Sequence, residues 1–266
     1  MFGKLLKYDF RSMLKQFAFI WPAALGLALV NHFTINSFVA SASDMRQTVS
    51  GIAMVVYVAI LMAMFIVALV FACQRFYKGL LGDEGYLMHT LPVKPWQLIG
   101  SKLLCAVVTT FLSVAVALLS VLVLLPWEQA EVREIFQGLR YVLTHWNVQV
   151  THAVIGFLEI CLMIMTSFAT GYLQIYLALS IGHLVNKHRS AMTLAAFIAI
   201  NAVVSTLSGK FLSPFFDMVF DGINSSIGSV AQFHSVMWIV IASELVLCVV
   251  YFAGTEFILR KRLNLE

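Results

Sequence analysis

Six long apolar runs dominate this chain of 266 residues, near 17–38, 51–73, 103–126, 151–181, 190–208 and 235–257. A helix of about 20 apolar residues crosses the roughly 30 Å hydrocarbon core of a bilayer. Lipid offers backbone amides and carbonyls no partner, so only helices and closed barrels can cross it. The runs are continuous rather than alternating, which selects helices. Composition agrees, with 61% hydrophobic and 11% charged residues against roughly 25% charged in a soluble domain. The expected fold is an all-α integral membrane protein, a single domain over 1–266 with six transmembrane helices. The fourth run is longer than a bilayer requires, so a tilt or a projection beyond the membrane is expected there.

The basic residues orient these spans. Lys4, Lys7, Arg11, Lys15, Arg75, Lys78, Lys94, Lys102, Lys187, Arg189, Arg260, Lys261 and Arg262 fall on one side, and Arg46, Arg133, Arg140 and Lys210 on the other. Positive charge collects on the cytoplasmic side of short loops, so both termini are expected in the cytoplasm. Tryptophan favours membrane interfaces. Trp127, Trp146 and Trp238 fall at outer ends of spans and Trp21 near an inner end. The bases are scattered rather than gathered on one face, which argues against a nucleic-acid partner.

Two further segments lie at the interfaces. In residues 2–16, apolar Phe2, Leu5, Leu6, Phe10, Met13 and Leu14 recur at helical spacing with bases between them, the pattern of an interfacial amphipathic helix. The "VASA" at 39–42 resembles a cleavage site after an apolar stretch. The basic lead before that stretch is long and amphipathic, so the first span is expected to be retained. Residues 209–234 are too apolar for a solvated loop but are broken by Pro214, Gly222 and Gly228. They predict an outer re-entrant helical hairpin before the last span, backed by protein.

Several chemistries find no support. No GxxxxGK[ST] loop is present to cradle phosphates, and no HExxH or GxSxG motif appears. No catalytic residue, resident cofactor or metal site is expected. Cys73, Cys105, Cys161 and Cys248 sit in or beside apolar runs without a CxxC pair, as small buried hydrophobes do.

Glu159 and Glu244 lie inside the fourth and sixth runs. A charge there costs about 3 kcal/mol or more, so such residues face a cavity or a partner, or stay protonated. A neighbouring helix could equally satisfy them by hydrogen bonding. With Asn201 they are the candidate substrate-path residues. His152 and Glu159 are seven residues apart, close enough to two turns to share a face. Gly156 and Gly171 are expected to permit close helix packing.

The stretch LLGDEGYLMHTLPVKPWQLIGSKLL at 80–104 is the most patterned polar piece of the chain. Gly79 and Gly82 interrupt the second run. Asp83 and Glu84 favour a helix N-terminus, Pro92 and Pro95 break that helix, and Pro95 suits the first turn of the next. The expectation is a rigid knuckle over 79–101 presenting Tyr86, Leu87, Met88, Leu91 and Trp96, either to a protein partner or to the underside of the bundle.

The run RFYKGLLGDEGYLMHTLPVKPWQLIGSKLL resembles the first cytoplasmic segment of type-2 ATP-binding-cassette (ABC) transporter permeases, in a subgroup common in Firmicutes. Glu84-Gly85, Leu91-Pro92 and Lys102 occupy the places of that family's acid–glycine pair, leucine–proline turn and following lysine. Tyr86 stands where many members carry threonine. YLALSIGHLVNKHRSAMTLAAF resembles the subgroup's second cytoplasmic turn.

The resemblance implies a permease subunit of an ATP-driven exporter in a bacterial cell membrane. A separate ABC ATP-binding subunit, carrying ATP and Mg, would dock on Asp83, Glu84, Gly85, Tyr86, Leu87, Met88, Leu91, Pro92 and Trp96, and secondarily on His188 and Arg189. A second permease chain, identical or sibling, would complete the unit. It also implies a cavity lined by the first, second and fifth spans, which leaves Glu159 and Glu244 to one side. The rival readings are a proton-coupled secondary transporter using Glu159 or Glu244, and a membrane scaffold or sensor that does not transport.

Overall fold

A computed structural model describes residues 2–39, 44–82, 94–124, 133–134, 137–138, 140–141, 144, 147–185, 188–211 and 230–261. Among them are no strands and six long helices: α1 (Phe2–Val39), α2 (Asp44–Phe76), α3 (Pro95–Leu124), α4 (Val148–Gly182), α5 (Arg189–Phe211) and α6 (Val230–Lys261). A π-helical turn, Tyr77–Leu81, extends α2. Each of the six is long and apolar enough to cross a membrane. The expected all-α, six-span architecture is what the chain adopts.

The element boundaries differ from those of the hydropathy runs. Residues 2–16 are helical as expected but continue unbroken into the first span, with Pro22 inside α1. No glycine or proline falls at the junction of 16 and 17 to turn the chain. α6 begins at Val230, five residues before the apolar run starting at 235. Most of the expected outer hairpin, 212–229, lies outside the described residues, as do 83–93 and most of the loop at 125–146.

The helices divide into two compact units, one of Lys7–Phe71 with Val108–Thr151, the other of Met1–Leu6, Ala72–Val107 and His152–Glu266. Lipid is as apolar as leucine, so van der Waals packing and interhelical hydrogen bonds hold such units together. In the first unit Phe17, Met64 and Ala68 form a buried cluster with Ile20, Trp21, Leu61, Phe65, Phe71 and Ala117 around it. Polar bonds cross it: Trp21 Nε1 donates to Ser113 Oγ at 3.0 Å, Tyr57 Oη and Ser120 Oγ lie 2.7 Å apart, and Asn31 Nδ2 donates to the Ala53 carbonyl at 3.1 Å. Trp21 thus spends its indole N–H inside the unit rather than at a headgroup.

In the second unit α4 and α6 pack side by side. Residue pairs 159/234, 167/244 and 170/248 meet at nearly constant separations of 75, 77 and 78. A constant separation means that the two helices run in the same direction. This is what two spans separated by one crossing require. α4 and α5 form the intervening hairpin, with Gly182 seated against Thr193. Gly171, in contrast, has nothing within 4 Å of where a Cβ would stand among the described residues, which show no close packing there.

Candidate functional site

The beginnings of α4 and α6 bring three ionisable side chains together. His152 and Glu159 share a face of α4, as their spacing predicts. The fifth residue of α6, His234, fits between them: its Nδ1 is 2.6 Å from Glu159 Oε2, and its Nε2 is 3.3 Å from His152 Nδ1. The two imidazoles are 5.4 Å apart and tilted by 35°. Gly156 admits the ring of Phe233, whose Cε1 would lie 3.3 Å from a Cβ at that position, so the helices touch closely here.

Burial is graded along this chain. His152 is exposed, the His234 side chain is 16% exposed, and that of Glu159 5%. Glu159 Oε1 is buried with no hydrogen-bond partner among the described residues. An ionised carboxylate has about four lone-pair sites to satisfy, and here one interhelical bond is present. Among the described residues, no group of three or more His, Cys, Asp or Glu side chains is arranged to hold a metal ion.

Glu244 occupies a separate place. Ser167 Oγ donates to its Oε1 at 3.2 Å, while Thr170 Oγ1 lies 3.4 Å from its backbone carbonyl and 3.1 Å from Cys248 Sγ. Ten residues along α6 put Glu244 about 15 Å from His234. Asn201 is exposed and donates back to the Phe197 carbonyl of its own helix at 2.9 Å. Glu159, Glu244 and Asn201 therefore share no hydrogen-bonded cluster.

Toward the other end of α4 lies a packed junction. Phe76 and Tyr176, both fully buried, stack at 4.0 Å and 7°. Leu80, Leu81, Leu98 and Ile99 are also buried. Gly82 N–H donates to the Tyr77 carbonyl at 2.8 Å, closing the wide turn. Gly79 leaves room for the buried Lys102, whose Nζ would be 2.6 Å from a Cβ there. Pro95 is the first residue of α3, as expected, and Gln97 Oε1 accepts from Lys94 N–H at 3.4 Å, half of a capping box.

Of the residues expected to meet an ATP-binding subunit, Asp83, Glu84, Gly85, Tyr86, Leu87, Met88, Leu91 and Pro92 lie outside the described residues. Trp96 is 43% exposed at the junction's edge. His188 is exposed in a left-handed conformation, φ 63°, and its carbonyl accepts from Met192 N–H. His183 faces the ring of Tyr77 at 5.5 Å. Burial, then the charge of Arg189, lowers the His183 pKa below 6.5, against a smaller opposing pull from its own backbone.

His234 is the residue that sequence reasoning missed, because it was assigned to the hairpin rather than to a span. The available signal was depth: the fourth and sixth spans run the same way, so polar residues near their starts can meet.

These helices define an all-α, multi-pass membrane protein. No family model, curated protein or solved structure matches the chain.

Proposed function

We propose that the chain is the transmembrane permease subunit of an ATP-driven ABC transporter working as an exporter. A separate ATP-binding subunit, which carries ATP and Mg, docks on 83–96 and secondarily on 183–190. The permease chain works as a pair, with itself or with a sibling, in a bacterial cell membrane with both termini cytoplasmic.

The observation that carries this reading is the burial of the residues that flank the patterned stretch on both sides. The stretch leaves from a π-turn whose Leu80 and Leu81 are buried and returns through Pro95 onto buried Leu98 and Ile99. These flanks belong to the ends of α2 and α3, and Phe76 stacked on Tyr176 joins α2 to α4. Force that a docked partner delivers to these flanks is passed on to the spans. The likeness of Glu84-Gly85, Leu91-Pro92 and Lys102 to the permease pattern supports the same reading.

Purification from native membranes in mild detergent, followed by mass spectrometry of retained proteins, tests it. The expected result is a stoichiometric ATP-binding subunit, lost from chains carrying Glu84→Lys and Leu87→Asp. A chain recovered alone that still transports would overturn the reading.

A further inference from the structure

We propose that His152, His234 and Glu159 form a proton-binding site, loaded through His152 from the end of the bilayer where α4 and α6 begin, with Glu159 as its buried terminus. By the charge count this is the outer end. The inference does not depend on how transport is powered.

Three observations carry it. The hydrogen bonds are continuous, 3.3 Å from His152 to His234 and 2.6 Å from His234 to Glu159. Exposure falls in the same order, from open at His152 to 4% at Glu159. The terminal carboxyl is under-satisfied, its Oε1 buried without a partner among the described residues. Imidazole, which can donate through one nitrogen while accepting through the other, suits a conducting link.

The proton path can be written atom by atom. A proton from water binds Nε2 of His152, and the proton on its Nδ1 passes to Nε2 of His234. The proton on Nδ1 of His234 then passes to Oε2 of Glu159. One proton has entered, both rings are neutral again, and the carboxylate has become a carboxylic acid. α4 contributes His152 and Glu159 to this arrangement and α6 contributes His234. Among the described residues no other ionisable side chain is bonded to any of the three. Phe233 against Gly156 closes the contact with apolar surface.

Infrared difference spectra of the full chain in lipid vesicles, taken between about pH 8 and about pH 5, the window in which imidazole ordinarily changes charge, test the site. The expected signal is the carbonyl stretch of a protonated carboxyl that grows on acidification. It should be lost in Glu159→Gln, and its midpoint should move in His234→Gln, which replaces the imidazole bonded to the carboxyl. If Glu159→Gln does not fold, Glu159→Asp should shift the midpoint instead of abolishing the band. No band in the wild type, a band that survives in Glu159→Gln, or a midpoint indifferent to both His234→Gln and Glu159→Asp would overturn the proposal. Failure here leaves the ATP-driven reading standing, since retention of an ATP-binding subunit judges that reading separately.

Discussion

Glu159 and His234, 75 residues apart in the chain, share a hydrogen bond of 2.6 Å between two helices that run in the same direction. This bond gives the buried acid a partner and joins the start of α6 to α4. In a double-mutant cycle of Glu159→Gln and His234→Ala, the coupling should be about 1 kcal/mol or more. That exceeds the average of about 0.6 kcal/mol for interhelical hydrogen bonds in membranes, because one partner here is an acid. Reversible unfolding in lipid or detergent measures it. His152→Ala, at the exposed end, should change stability by less than about 0.5 kcal/mol.

Glycines separate by what surrounds them. Gly182→Ala should be the most damaging, because a Cβ there would stand 2.9 Å from both the Cβ and the backbone nitrogen of Thr193. Backbone cannot swing aside, so a loss of about 2 kcal/mol or more is expected, measured as thermal stability. Gly171→Ala meets nothing among the described residues and should stabilise by up to about 1 kcal/mol through helix propensity alone.

Gly79→Ala tests the junction. Its Cβ would press on the end of the Lys102 side chain, which is flexible but buried. A cost of about 1 kcal/mol is expected, and, on the proposed permease reading, weaker retention of an ATP-binding subunit at unchanged expression. Normal retention with lowered stability would separate packing from docking.

The His188 backbone is left-handed, which costs an L-residue about 1–2 kcal/mol. His188→Gly should relieve that strain. Because glycine also loosens the unfolded chain, the net gain should stay below about 1 kcal/mol. His188→Val should instead destabilise, since a β-branched side chain tolerates this conformation worst. Thermal unfolding of the two variants side by side gives the ordering.

Acid should weaken the turn after α4. Burial and the Arg189 charge depress the His183 pKa in the folded protein below its ordinary 6.5. As pH falls through 6.5, the unfolded chain takes up a proton that the folded one resists. Stability is therefore full above that value and declines from there toward the folded pKa. His183→Gln should remove this part of the pH dependence. Hydrogen exchange of residues 179–185, measured at two pH values, reads it locally.

The sequence by itself determined that this chain spans a membrane six times as helices. Hydrocarbon supplies no backbone partner, and runs of that length admit one regular solution. It also placed the Pro95 helix start and the shared face of His152 and Glu159, since both follow from local geometry. Tertiary structure decided where helices that look alike in hydropathy begin and which polar groups meet. α1 continues through residue 16 because nothing there turns the chain, and α6 starts early enough to carry His234 into the bilayer end of the bundle. The contact between His234 and Glu159 depends on the register of two parallel helices. That register is set by packing such as Phe233 on Gly156 and Leu177 on Gly254. No spacing along the chain encodes it, because the intervening span and loops leave the relative depth of α4 and α6 free until their side chains interlock.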